Sequence, residues 1–198
     1  MTDQSSPTSG CSAVDPILPP ADVVEGYRNL IKVEPQAASG RLDTVAATVE
    51  SCRAARLQFV DAVADLIVAL PPEGARYPAQ VLTDLLSDDA MDVREKVTET
   101  VADLAAVLGP AHLSQCQPLF AATGERLCSD DHEFVREQAG AALVTLAAEH
   151  DVIGLPPMAL IATFLAQTLP DRAANALESA LERLTTADVP LKPAPVTS

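Results

Sequence analysis

Apolar residues along this chain recur at three- and four-residue steps, which predicts helices and not strands. Val93, Val97, Val101, Leu104, Ala105 and Leu108 fall on one helical face, and Val135, Ala139, Leu143, Leu146 and Ala147 repeat the arrangement. Each run follows an acidic turn, and each turn follows a shorter apolar segment ending in Leu, so the pattern predicts helix, turn, helix. The stretches Leu85 to Leu108 and Leu127 to His150 are two copies of one text. Ser87-Asp88-Asp89 superposes on Ser129-Asp130-Asp131, Val93-Arg94-Glu95 on Val135-Arg136-Glu137, and Leu104-Ala105-Ala106 on Leu146-Ala147-Ala148, at the constant step from position 87 to position 129. A fixed step predicts a repeat architecture, in which hairpins that cannot bury their apolar faces alone stack on their neighbours.

Extending this pattern along the chain divides it into units. Residues 1–21, rich in Ser, Thr, Pro and Asp, read as a disordered leader, with a short helix expected from Asp22 to Ile31 and a break from Pro35 to Gly40. Residues 42–70 read as two helices bent near Ser51 to Ala55. Placing Arg56 on Arg94 aligns Val63-Ala64-Asp65-Leu66 with Val101-Ala102-Asp103-Leu104, which makes this segment an end cap without the acidic turn. A repeat over 77–109 is expected to open at Pro78, in the first turn of a helix. Gly109-Pro110 separates it from a repeat over 111–150, where Pro118 plays the same part. A last hairpin is expected over 156–185 and a flexible tail over 186–198. The fold class expected is all-α, an α-α superhelix of three to four helical hairpins.

Composition sharpens this picture. Of 198 residues 48% are apolar, mostly Ala, Leu and Val with no Trp, which suits close-packed helices better than a pocket lined by aromatic rings. Twenty-eight acidic against 13 basic residues give a net charge of −15. Phosphate backbones and anionic lipids are bound by Lys and Arg, so this balance argues against nucleic-acid and membrane partners and favours a basic or mixed-charge protein. Cys11, Cys52, Cys116 and Cys128 lack the spacing of a disulfide framework, the first residues lack a basic and apolar leader, and no apolar run approaches membrane-spanning length. The expectation is a protein of the cytoplasm or nucleus. No G-x-S-x-G, H-E-x-x-H, phosphate-loop or dinucleotide motif occurs, so neither an enzymatic role nor a cofactor is expected.

The charged residues at fixed register are the candidates for function. Arg94 and Arg136, with Arg56 as a weaker third, sit at one place in successive units, where they could form an inter-repeat ladder to the next acidic turn or meet a partner directly. Asp88, Asp89, Asp130 and Asp131 read as helix caps for the free N–H groups that follow, or as a cation site, for which two carboxylates per turn are too few. His112 with Cys116, and Cys128 with His132, have a metal-ligand spacing within each pair. The intervening helix would hold the pairs roughly 18 Å apart at about 1.5 Å per residue, too far to share one ion. His150 is expected at a helix end, where a cation suits the dipole.

An acidic turn, then Val-Arg, then small apolar residues at a period near forty resembles HEAT repeats. Leu85 to Arg94, Leu127 to Asp131 with Val135-Arg136, Leu108-Gly109-Pro110 between units and Gly40-Arg41-Leu42-Asp43 at the cap resemble, within them, the scaffold and regulatory subunits of type 2A-like serine/threonine protein phosphatases. The resemblance implies a non-catalytic scaffold whose intra-repeat turns lie on one ridge and meet a phosphatase catalytic subunit. It thereby marks Ser87, Asp88, Asp89, Asp92, Ser129, Asp130, Asp131 and His132 as partner contacts. Members of that family are much longer, so the chain is expected to be a fragment or a shortened relative. Two rivals remain: a general adaptor unrelated to phosphatases, for transport or assembly, and an enzyme on the same fold. The latter, as in DNA glycosylases of this type, would need a basic groove with aromatic rings.

Overall fold

A computed structural model describes residues 18–149, and among them all regular structure is helical, with nine helices and no strand. The helices are α1 (Pro20–Val33), α2 (Pro35–Ser39), α3 (Leu42–Val49), α4 (Arg53–Ala69), α5 (Pro72–Leu85), α6 (Met91–Val107), α7 (Pro110–Gln115), α8 (Gln117–Ser129) and α9 (Glu133–Glu149). The hairpin expected over 156–185, the tail, His150, Cys11 and nearly all of the leader lie outside the described residues.

Helices α4, α6 and α9 lie side by side, α6 in the middle, while α5 and α8 pack on them and on each other. The long helices bury the faces expected from their periodicity. Val93, Val97, Val101 and Ala105 of α6 are fully buried, and Val135, Ala139, Leu143 and Leu146 of α9 are buried with them. Alanines at the seams, among them Ala55, Ala62, Ala105 and Ala142, have almost no exposed surface and let neighbouring backbones approach closely. At the other end α1 covers α4, burying Val24, Tyr27 and Ile31 at helical spacing, with the Tyr27 ring 6.3 Å from that of Phe59.

Prolines, rather than breaking the chain into loops, start helices. Pro35 was expected to end regular structure, but it opens α2, where its fixed φ suits the first helical position and its missing N–H would have had no partner. Pro72 likewise opens α5, which corrects the expected start at Pro78. Pro78 is buried inside a helix that continues through it. In the next unit the corresponding segment is broken: Pro110 opens α7, Cys116 leaves helical geometry (φ −90°, ψ 4°), and α8 begins at Gln117 with Pro118 in its first turn, as expected. The Leu70 carbonyl, at the end of α4, accepts a hydrogen bond from His112 Nε2 at 2.9 Å, so α7 is fastened to a helix end that has lost its internal donors.

Phe59 is 1% exposed at the junction of α1 and α4. Phe59→Ala is expected to lower the unfolding free energy by about 3–5 kcal/mol in urea denaturation, whereas Val68→Ala, on the exposed side of α4, is expected to stay within about 0.5 kcal/mol.

Candidate functional site

Three turns connect leading to trailing helices, and the trailing helices carry an arginine at the same place: Arg56, Arg94 and Arg136 are each the fourth residue of α4, α6 and α9. From that position a long side chain reaches back over its own turn. Arg56 Nη1 donates to the Glu50 carbonyl, Arg94 Nη1 to the Asp88 carbonyl at 2.9 Å and Arg136 Nη1 to the Asp130 carbonyl at 2.6 Å, always six residues upstream.

The remaining N–H groups face the next unit. Arg94 Nε lies 2.8 Å from Asp130 Oδ2, its Nη2 3.1 Å from Asp130 Oδ1 and 3.3 Å from Asp131 Oδ1. Arg56 repeats this one unit earlier. Its Nη2 donates to Asp88 at 3.2 Å and to Asp89 at 3.3 Å, and its Nε is 2.9 Å from Asp88 Oδ2, an ion-pair contact with the N–H aimed off the oxygen. Arg56 and Arg94 thus each tie their own turn to the next one along the chain. Arg136 is buried and holds its own turn, and its Nε has no hydrogen-bond partner among the described residues.

Each aspartate pair divides its work. The first members are sealed in, with side-chain exposures of 8% for Asp88 and 1% for Asp130, whereas Asp89 and Asp131 are 95% and 91% exposed. Asp88 Oδ1 also accepts from the Ala90 N–H at 2.8 Å, and Asp130 Oδ1 from the His132 N–H at 2.9 Å. These bonds close the turn two residues on, before the helix begins, and α6 has no side-chain cap. The expected capping of free helical N–H groups is corrected accordingly: Asp88 and Asp130 set the turn and grip the preceding arginine.

Burial alone would push the Asp130 carboxyl upward. The hydrogen bonds from Arg94 and the His132 N–H outweigh that effect and hold it below its ordinary 3.8. The Arg94 guanidinium is raised by the same hydrogen bond, against the opposing effect of burial.

The other ridge residues differ in availability. Ser87 is exposed, and its Oγ accepts from Arg126 Nη2 at 2.7 Å, a link between units. Ser129 instead donates to the Glu125 carbonyl of its own helix. Asp92 is held by Arg53 at 2.8 Å, and that hydrogen bond lowers its carboxyl below the ordinary range. His132 is half-buried, with its ring 6.4 Å from exposed Phe134.

Arg53, Arg126 and the Lys96–Asp61 pair at 3.1 Å were not singled out by sequence reasoning. A signal did exist: Arg53–Asp92 and Arg126–Ser87 each span 39 residues, about one repeat. Among the described residues no three His, Cys, Asp or Glu side chains gather to hold a metal. His112 is engaged with Leu70, and burial pushes the Cys116 thiol up to about 11, away from the thiolate a metal would take. No helix among them is long and apolar enough to cross a membrane.

Neither a family model, nor a curated protein, nor a solved structure matches the chain. The geometry of the turns, joined to the resemblance in their sequence, carries the functional reading.

Arg94→Ala leaves Asp130 buried without its counter-charge and is expected to cost about 3 kcal/mol of stability by chemical denaturation. Arg53→Ala, at a side chain that is itself largely in solvent, is expected to leave the midpoint close to wild type. Because the Asp130 carboxyl is lowered on folding, the folded state releases its proton more readily. Its stabilisation is therefore complete above about pH 4 and is lost as the pH falls through the lowered value. Asp130→Asn is expected to flatten the pH dependence of unfolding free energy below about pH 4, measured at constant ionic strength.

Proposed function

We propose that the chain is a non-catalytic α-solenoid scaffold of the HEAT type, holding a protein partner along its ridge of turns. The partner to which the sequence resemblance points is a serine/threonine phosphatase catalytic subunit. The observation that carries the scaffold reading is the division of labour between paired aspartates. Asp88 and Asp130 fix the spacing of successive turns through the largely enclosed Arg56 and Arg94, while Asp89 and Asp131, each touched at 3.3 Å by the arginine that grips its neighbour, keep most of their carboxylate surface in solvent. Packed helices set such neighbours about 8–10 Å apart, so the ridge offers a ruled series of carboxylates to a basic face. Between the second and third turns a hollow of about 390 Å³, lined by charged and polar side chains with Met91 as its one apolar wall, opens on the same ridge. The chain makes and breaks no bond; it positions an enzyme relative to its substrate.

One observation favours a second reading, an adaptor for a partner other than a phosphatase. Among the residues that carry the resemblance, Asp88, Arg94, Asp130 and Arg136 are the ones enclosed in the ladder. They account for stacking and leave the choice of partner to the exposed positions.

Affinity purification on the intact chain, with Asp89→Lys/Asp131→Lys as the comparison, distinguishes the readings. The double variant is expected to melt as wild type does and to lose at least tenfold in recovered phosphatase catalytic subunit. Recovery of some other protein, equally sensitive to the double variant, would establish the adaptor reading. A catalytic subunit retained equally by both proteins would remove the ridge from the interface.

A further inference from the structure

A groove of about 630 Å³ runs between α3 and α5, down from the turns along the layer that α3 and α5 share, and its volume lies within the range of about 300–1,000 Å³ typical of ligand sites. Its accessible apolar surface comes from Ala46 of α3 and from Val81 and Leu85 of α5, with the buried Val49 and Phe59 beneath them. Its rim is acidic: Asp43, Glu50, Asp84, Asp88 and Asp89 against the one guanidinium of Arg56. Arg56 is already matched to Asp88 and Asp89. Asp43, Glu50 and Asp84 are exposed and have no cationic partner among the described residues. Asp43 accepts from the Tyr77 hydroxyl and Asp84 from Gln80 Nε2 at 3.0 Å, neutral bonds that leave both charges uncompensated.

The neighbouring gap differs in kind. Where α5 meets α8 the helices pack directly, leaving a smaller hollow of about 390 Å³ that Arg126 lines with Asp84 and Glu125, its Nη2 donating to Ser87 and not to Asp84. Between α3 and α5 the short α3 presents Ala46 and Ala47, side chains too small to fill the space, and the Tyr77–Asp43 bond bridges the two helices.

We propose that this groove docks an amphipathic segment of a partner protein, with a few apolar side chains against Ala46, Val81 and Leu85 and flanking Lys or Arg at Asp43, Glu50 and Asp84. Charge complementarity selects that occupant: an acidic segment would meet three unneutralised carboxylates, and a purely apolar one would leave them facing it without counter-charge. The groove meets the ridge at Asp88 and Asp89, but Asp43 and Asp84 belong to helices and Asp131 and His132 do not line the groove, so the two sites can be tested apart. The scaffold would then hold two partners, one on the turns and one between helices.

Fluorescence anisotropy of the intact chain with a short labelled peptide tests this. The peptide carries Leu at i, i+3, i+4 and i+7 and Lys elsewhere; a scrambled peptide has the same composition. The wild-type chain is expected to bind the patterned peptide at least tenfold more tightly than the scrambled one. Asp43→Lys/Asp84→Lys is expected to weaken the patterned peptide about tenfold, and Glu73→Lys/Asp103→Lys, the same charge change on exposed positions outside the groove, less than about twofold. Equal binding of the two peptides, equal weakening by the two double variants, or no binding of the patterned peptide would each overturn the proposal. Asp131→Lys, which disturbs the ridge, is expected to leave peptide binding intact, so the groove and the ridge succeed or fail separately.

Discussion

A charge taken out of water must recover its lost hydration from the protein, and that constraint governs how these helices are spaced. Asp130 is almost wholly enclosed, and it tolerates enclosure because two N–H groups of Arg94 and one backbone N–H converge on it. Arg94 in turn needs both Asp130 and the Asp88 carbonyl to satisfy its fork. A lysine, with one compact charge and no planar fork, could not span the two turns in this way. Apolar contacts between Val, Leu and Ala supply the greater part of the cohesion but tolerate sliding; a bidentate pair does not. The ladder thus sets which residue of one unit faces which residue of the next.

From this spacing the rest of the arrangement follows. Once Arg56 and Arg94 fix the turns, α4, α6 and α9 must run alongside each other, and small residues at their seams allow the close approach. The leading helices then differ in how well they meet: α5 and α8 touch, while α3 is short and lined by alanine on the side that faces α5, so a trough stays open there. Secondary links such as Lys96–Asp61 and His112–Leu70 fasten successive units away from the turns. The surplus of carboxylates over cations is displayed at the ridge and the trough, with the buried ones matched.

Much of this was legible in the text of the chain. The copied Ser-Asp-Asp and Val-Arg segments gave the period, the period gave the hairpins, and the register of Arg94 against Asp130 gave the ladder, because a repeat constrains neighbours to be near one period apart. Two things were not legible. Residue type alone does not reveal which of two adjacent aspartates turns inward; the geometry of the turn decides that, and it assigned Asp88 and Asp130 to the interior and Asp89 and Asp131 to solvent. Proline also misled, because the same residue that stops one helix is well suited to start another. Pro35 and Pro72 do so, while Pro78 is carried inside α5 by the packing around it. The trough between α3 and α5 depends on a mismatch of helix lengths that no local pattern records.

The identity of the rungs has a consequence for how such a chain can change over time. Arg56 pairs with Asp88 and Asp89 as Arg94 pairs with Asp130 and Asp131, though only Arg94 also donates from Nε, and Asp88 and Asp130 answer with the same carboxylate and the same closed turn. Excising the segment between them in whole periods would leave Arg56 opposite Asp130, a junction chemically equivalent to the one removed. A gene built this way can lengthen or shorten by duplication and loss of entire units, each product inheriting a ready-made joint, and its reach can be altered without redesigning its interior.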